Sequence, residues 1–150
     1  MELRLATTGD VPDLFRVRTS VRENHESEEQ LAALGITRES VAQMLESGQA
    51  RGWCALEGGA VVGFSMARRS EREIFALFVL PEFEGRGIGG SLLELALAWL
   101  WQLSDQPIRL STGRGTRAFS LYVSKGWREV GELENGDPIL ETRYAAPRSA

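Results

Sequence analysis

Residues 74 to 103 constrain the fold more tightly than any other stretch of the chain. Ile74–Leu80 is an unbroken apolar run, stopped by Pro81. Such a run suits a strand covered on both faces at the centre of a sheet. Four glycines then fall within six residues, Gly85-Arg86-Gly87-Ile88-Gly89-Gly90. Ser91–Leu103 follows as an amphipathic helix whose Leu92, Leu93, Leu95, Ala96, Trp99 and Leu100 form a core stripe. A further strand at Pro107–Ser111 completes a strand–helix–strand unit, which requires a parallel pair and a right-handed crossover.

Hairpins flank that unit. Gly52–Leu56 and Ala60–Met66 are joined through Glu57-Gly58-Gly59, and two final strands surround Asn135-Gly136, a favoured turn pair. Glu2–Ala6 alternates as a first strand. Asp10 and Pro12 open a helix that carries Val11, Leu14, Phe15 and Val21 on one face, and a second helix runs from Thr37 to near Gly48. Between these two helices Glu23–Gln30 is polar and acidic, a loop or a loosely held helix, and Thr116–Ser124 is one more helix. The order β-α-α-β-β-β-α-β-α-β-β predicts an α+β fold, with a mixed, mostly antiparallel central sheet flanked by helices on both faces. With 150 residues and no linker or repeat, a single domain over 1–150 is expected, its last residues (145–150) a frayed tail.

Composition excludes several functions. A net charge of −4 argues against a nucleic-acid surface, which needs a basic stripe to displace counterions. One cysteine and one histidine cannot form a disulfide or a structural metal site, so no metal is expected. Cys54 lies in an alternating strand and is expected to be an inert, packed thiol. The longest apolar stretch, Leu92–Trp101, is broken by Glu94 and too short to span a bilayer, while the N-terminus lacks the apolar core of a signal peptide. A cytoplasmic protein without membrane or nucleic-acid partners is expected.

The glycine loop has its own chemistry. Without Cβ atoms the backbone turns tightly and several N–H groups point at one anion, and the helix start adds the positive end of its dipole. Strand, glycine loop and helix N-terminus together make a cradle for a diphosphate. Gly85, Gly87 and Gly90 satisfy G-x-G-x-x-G, yet no acid near Arg109–Thr112 supplies the ribose contact of a dinucleotide site. Gly90-Ser91 has no preceding lysine, so a P-loop is excluded too.

The segment Phe78-Val79-Leu80-Pro81-Glu82-Phe83-Glu84-Gly85-Arg86-Gly87-Ile88-Gly89-Gly90-Ser91-Leu92-Leu93 resembles the acetyl-CoA-binding motif of the GCN5-related N-acetyltransferase (GNAT) superfamily. In that motif, Gln/Arg-x-x-Gly-x-Gly/Ala, Glu84 stands at the Gln/Arg position, and Gly87 and Gly89 at the glycine positions. Gly115-Thr116-Arg117-Ala118-Phe119-Ser120-Leu121-Tyr122-Val123-Ser124-Lys125-Gly126-Trp127 resembles the family's Asn-x-x-Ala-x-x-Leu-Tyr-x-x-x-Gly-Phe segment. Here Gly115 replaces Asn and Trp127 replaces Phe.

The resemblance implies a GNAT-like fold and acetyl-CoA as cosubstrate. It places Phe78, Val79, Glu84, Gly85, Arg86, Gly87, Ile88, Gly89, Gly90, Ser91, Gly115, Phe119, Tyr122 and Lys125 against that cosubstrate. It further implies direct transfer of an acetyl group to a primary amine of a small molecule or peptide. The pantetheine arm would lie between splayed strands Ile74–Leu80 and Pro107–Ser111, with a backbone N–H near Phe78 or Val79 polarising the thioester carbonyl. Tyr122 is the candidate general acid and Glu73 the candidate base, with Glu71 next to it on the same side. Glu23, His25 and Glu26 are expected near the amine, and Arg86, Arg114 and Arg117 near the phosphates. Dimers are common in that family, and a non-catalytic acyl-CoA-binding module is the alternative function.

Overall fold

The computed structural model describes residues 1–145, so the expected tail lies, except for Ala145, outside the described residues. Two strands built almost wholly of buried residues, β2 (Ala50–Glu57) and β3 (Ala60–Arg68), sit inside a seven-stranded sheet. Its order is β1-β2-β3-β4-β5-β7-β6, where β1 is Glu2–Leu5, β4 Glu73–Val79, β5 Ile108–Ser111, β6 Arg128–Glu132 and β7 Pro138–Thr142. Every neighbouring pair is antiparallel except β4 and β5, the pair that the glycine loop and its helix connect. The mixed, mostly antiparallel sheet is therefore as expected.

Side-chain alternation assigns the helices to opposite faces of the sheet. Phe64 and Met66 of β3 meet Leu14 and Phe15 of α1 (Val11–Arg18) and Val41 of α3 (Arg38–Ser47) around one small apolar pocket. Ser65, between them, is fully buried against the other face, where its hydroxyl donates to Leu92 O of α4 (Ile88–Leu103) at 3.0 Å. The acidic linker contributes a six-residue helix, α2 (Glu28–Ala33), capped by Ser27. The last helix, α5 (Arg117–Ser124), is capped by Thr116, whose Oγ1 accepts from Phe119 N–H at 3.1 Å. Among the described residues no helix is long and apolar enough to cross a membrane.

Two boundaries depart from the periodicity. α4 starts at Ile88 rather than Ser91, because Ile88 is itself a core residue and draws Gly89 and Gly90 into the first helical turn. The final hairpin has no two-residue Asn-Gly turn. Leu133 and Asp137 pair across a longer connection, with Gly136 N–H donating to Leu133 O and Asn135 Oδ1 accepting from Asp137 N–H. That wider loop accompanies a register shift between Glu129 and Gly131 in β6.

Candidate active site

β4 and β5 are in register at one pair, Glu73 with Arg109, reinforced by Arg109 N–H donating to Arg72 O at 2.9 Å. Beyond it the two strands part, and a cleft of about 700 Å³ opens between them. Its walls include Ile74 to Val79 from β4 and Leu110 and Ser111 from β5. On the far side of β4, Leu80 N–H donates to Val62 O at 2.8 Å. Antiparallel alternation then points the Phe78 and Ala76 N–H groups at β3 and the Val79 and Leu77 N–H groups into the cleft. The close approach of Phe78 O to Gly63 agrees with that assignment. A bulge at Phe75, where Met66 faces Ala76 and Ala67 faces Ile74, bends β4 at the point of parting.

At the open end of the cleft lies the glycine loop. Gly87, at φ 81°, is the left-handed N-cap of α4, and no side chain caps the helix. The first-turn N–H groups have no intrahelical acceptors, and a Cβ added at Gly87 or Gly90 would meet only open space. This is a bare, electropositive rim shaped for an anion. The glutamate that departs from the motif is balanced, since Glu84 Oε2 accepts from Arg117 Nη1 at 2.9 Å.

Tyr122 borders the same cleft on the α5 side. Its ring packs against Trp127 with centroids 5.4 Å apart, and burial pushes the phenol well above its usual range. Its hydroxyl has no hydrogen-bond partner among the described residues, yet it is not sealed from the cleft. Opposite stands the linker after α1. His25 Nδ1 lies 2.9 Å from Val21 O, which makes Nδ1 the donor, so that in the neutral ring the lone pair is on Nε2. Asn24 ties this linker across the cleft mouth, donating from Nδ2 to Thr112 Oγ1 at 3.1 Å and accepting Gly113 N–H on Oδ1 at 3.2 Å. Glu23 Oε2 accepts from Arg117 N–H at 3.0 Å, next to the cap of α5.

Of the residues singled out from the chain, Phe78, Val79, Glu84, Gly85, Gly87, Ile88, Gly89, Gly90 and Tyr122 line one cleft. Glu23, His25, Glu26 and Arg117 line it as well. Glu73 does not reach it. That carboxylate sits at the closed end of the strand pair, 3.5 Å from Arg68, where burial raises its pKa and Arg68 opposes the rise. Arg86 lies over the Phe83 ring, 4.9 Å from its centroid, and Arg114 forks onto Glu129 and Glu132 of β6. Ser91, Gly115, Phe119 and Lys125 are also outside the lining. Arg18, Asn24 and Thr112 border the cleft without any sequence motif to announce them, because Asn24 and Thr112 meet across 88 positions and Arg18 meets the Phe78 ring from the end of α1.

A parted parallel strand pair above an uncapped glycine-rich helix start defines an acyl-CoA-type site on an α+β sheet. A family model described as an acetyltransferase (GNAT) domain matches residues 22–146, and the chain belongs to this family. An uncharacterised N-acetyltransferase of Archaeoglobus fulgidus is 31% identical over 142 residues, which cover 85% of this chain and 93% of that protein. The solved PaiA N-acetyltransferase of Thermoplasma acidophilum, in complex with coenzyme A, superposes with a TM-score of 0.77 at 20% identity, covering 96% of this chain and 100% of that one. YncA of Salmonella typhimurium, solved with acetyl-CoA, gives a TM-score of 0.72 at 14% identity, covering 100% and 99%.

Proposed function

We propose that this chain is an acetyl-CoA-dependent N-acetyltransferase that transfers the acetyl group directly to a primary amine. The observation that carries the reading is the shared cleft, which brings the glycine rim, the unpaired Val79 and Leu77 amides and the Tyr122 hydroxyl together. The glycine rim fits a diphosphate, and the opened strand edge fits an extended amide-bearing arm as one more strand would. The thioester supplies an activated acyl carbon with a thiolate leaving group.

Val79 N–H, aimed into the cleft, stabilises negative charge on the carbonyl oxygen as the amine adds. The amine nitrogen bonds to the acyl carbon, the C–S bond breaks, one proton leaves the amine and one reaches the departing thiolate. Tyr122 delivers that last proton. Burial keeps the phenol in its acid form, and the same desolvation raises the proton affinity of the thiolate beside it. His25 Nε2 takes the amine proton, held in the required tautomer by the Nδ1 contact to Val21 O. Glu73, at the closed end, acts on the strand junction rather than on the amine.

Thiol release from acetyl-CoA with a panel of primary amines tests the reading. Tyr122→Phe is expected to lower kcat about 100-fold or more while calorimetry returns an unchanged coenzyme A affinity. Full turnover in that variant would remove Tyr122 from the mechanism. No heat with coenzyme A would overturn the function itself.

A further inference from the structure

Arg18, at the end of α1, is an unusual arginine. Its side chain is only 14% exposed, yet it borders both the cleft and the small apolar pocket behind β4. The guanidinium lies over the Phe78 ring, 4.3 Å from the centroid. Of its five N–H donors, one is engaged among the described residues, Nη1 to Asn24 O at 3.0 Å. Glu26 stands 3.7 Å from Nη2, an ion pair without a hydrogen bond. The remaining donors of this planar fork, over an aromatic ring at the border of the cleft, have no hydrogen-bond partner among the described residues. Such a fork matches a carboxylate in two parallel bonds.

The pocket behind β4 supplies the second half. Leu14, Phe15, Leu31, Phe64, Ala76 and Phe78 enclose about 50 Å³ with almost no polar surface. At 10–15 Å³ for each water-sized occupant, that is room for about three to five non-hydrogen atoms. Phe75, Ala76, Phe78 and Arg18 belong to both spaces, so the pocket lies against the same stretch of β4 that walls the cleft. The linker's acidity is engaged in part. Glu23 holds the Arg117 N–H, Glu26 faces Arg18, and Glu28 makes paired 3.0 Å bonds with Arg38.

From this juxtaposition we infer that the acceptor is a free α-amino acid with an apolar side chain of leucine or methionine size. Its carboxylate rests on Arg18, its side chain fills the pocket behind Phe78, and its α-amine faces the acyl carbon. The inference rests on the N-acetyltransferase reading and specifies the acceptor for that same site. The reaction is the one written above, with the α-nitrogen losing the proton and gaining the acyl group.

Four acceptors separate the contributions: L-leucine, L-leucinamide, 3-methylbutylamine (leucine without its carboxylate) and glycine. Acetyl transfer to each is measured as kcat/KM with saturating acetyl-CoA. L-Leucine is expected to exceed the amide and the bare amine by about tenfold or more, the scale of a lost charge-assisted pair. Leucinamide is a stringent control, because losing the carboxylate makes its ammonium easier to deprotonate and biases the comparison against the proposal. Arg18→Gln should collapse the leucine-to-amide ratio to within about twofold through KM, with coenzyme A affinity unchanged, and Arg18→Lys should restore part of it. Ala76→Val, which narrows the pocket, should cut the leucine-to-glycine ratio. Transfer to amines with no carboxylate preference, or an Arg18→Gln loss equal for all four acceptors, overturns the proposal and leaves the enzyme reading intact. Absence of transfer to any amine, or of coenzyme A binding, instead removes the reading on which it rests.

Discussion

Cys54 and Tyr122 show burial acting on two acidic protons with different consequences. Cys54 is fully buried in β2, where desolvation pushes the thiol up to about 12. Below that value it stays protonated, and protonated thiols neither attack nor exchange. Native protein at pH 8 should therefore give no reaction with a disulfide reagent, and one thiol should appear on unfolding in guanidinium. Rapid labelling of the folded protein would contradict the packing seen at Cys54. Tyr122 shares the upward shift but borders the cleft, so its retained proton is available to a ligand. Gly87 is the third residue that matters by itself. At φ 81° a side chain costs about 1 kcal/mol, and its Cβ would also enter the rim above α4. Gly87→Ala should unfold at correspondingly lower denaturant and bind coenzyme A about tenfold more weakly by calorimetry, an affinity loss near 1.4 kcal/mol.

Elements are held by contacts that differ greatly in how far apart their partners lie along the chain. Asp10 lies near Arg4 in sequence, and their paired bonds of 2.8 and 2.9 Å fasten β1 to the start of α1. The Arg4 hydrogen bond holds the Asp10 carboxyl at about 2, against 3.8 ordinarily. A lowered folded-state value means the unfolded chain takes up the proton first, so this contribution is complete above pH 4 and is lost as pH falls toward 2. The shift corresponds to about 2 kcal/mol, with Asp10 itself largely buried. Asp10→Asn should thus lower urea-unfolding stability by roughly that amount at pH 7, with the gap to wild type shrinking at pH 2.5. The tie between Asn24 and the β5–α5 loop is of the opposite kind, joining residues 88 and 89 positions apart. A Cβ on Gly113 would stand 2.7 Å from Asn24 Oδ1. Gly113→Ala should release the linker from the cleft mouth, seen as faster proteolysis near Asn24 with the sheet's circular dichroism unchanged. Thr37 announced its helix because a cap acts within one turn, its Oγ1 accepting from Ser40 N–H, whereas Asp10 precedes α1 without capping it, its carboxylate being held by Arg4 and the Thr7 N–H. Asn24 and Arg18 carried no such signal, and the acidic run that singled out Glu23 gave no hint of its bond to the Arg117 N–H, since these contacts depend on loops brought beside them by the whole sheet.

At the scale of the molecule, period-two burial and one obligatory parallel pair were enough to anticipate the sheet, and the glycine run located its functional edge. The opening between β4 and β5 was implied only through the family resemblance. Strand separation is a collective outcome of the bulge at Phe75 and the single register pair at Glu73, and neither leaves a pattern in hydrophobicity. Glu73 looked suitable as a base because it enters the central strand, but it enters at the end where the strands are still joined. The register also decides between Phe78 and Val79 as the carbonyl's donor. Phe78 N–H faces β3 and Val79 N–H faces the cleft, by alternation from the Leu80–Val62 bond. Amide hydrogen exchange followed by NMR reads that difference directly. In the free protein Val79 and Leu77 should exchange faster than Ala76, Phe78 and Leu80, whose N–H groups are in the ladder. Saturating coenzyme A should slow Val79 and Leu77 selectively, beyond the uniform protection that ligand binding gives every amide exchanging through global unfolding. Selective slowing of Phe78 instead would mean a one-residue register shift, which turns every side chain of β4 to the opposite face. Phe78 would then leave Arg18, Val79 would leave Gly63, and both the donor and the acceptor pocket assigned above would be lost together.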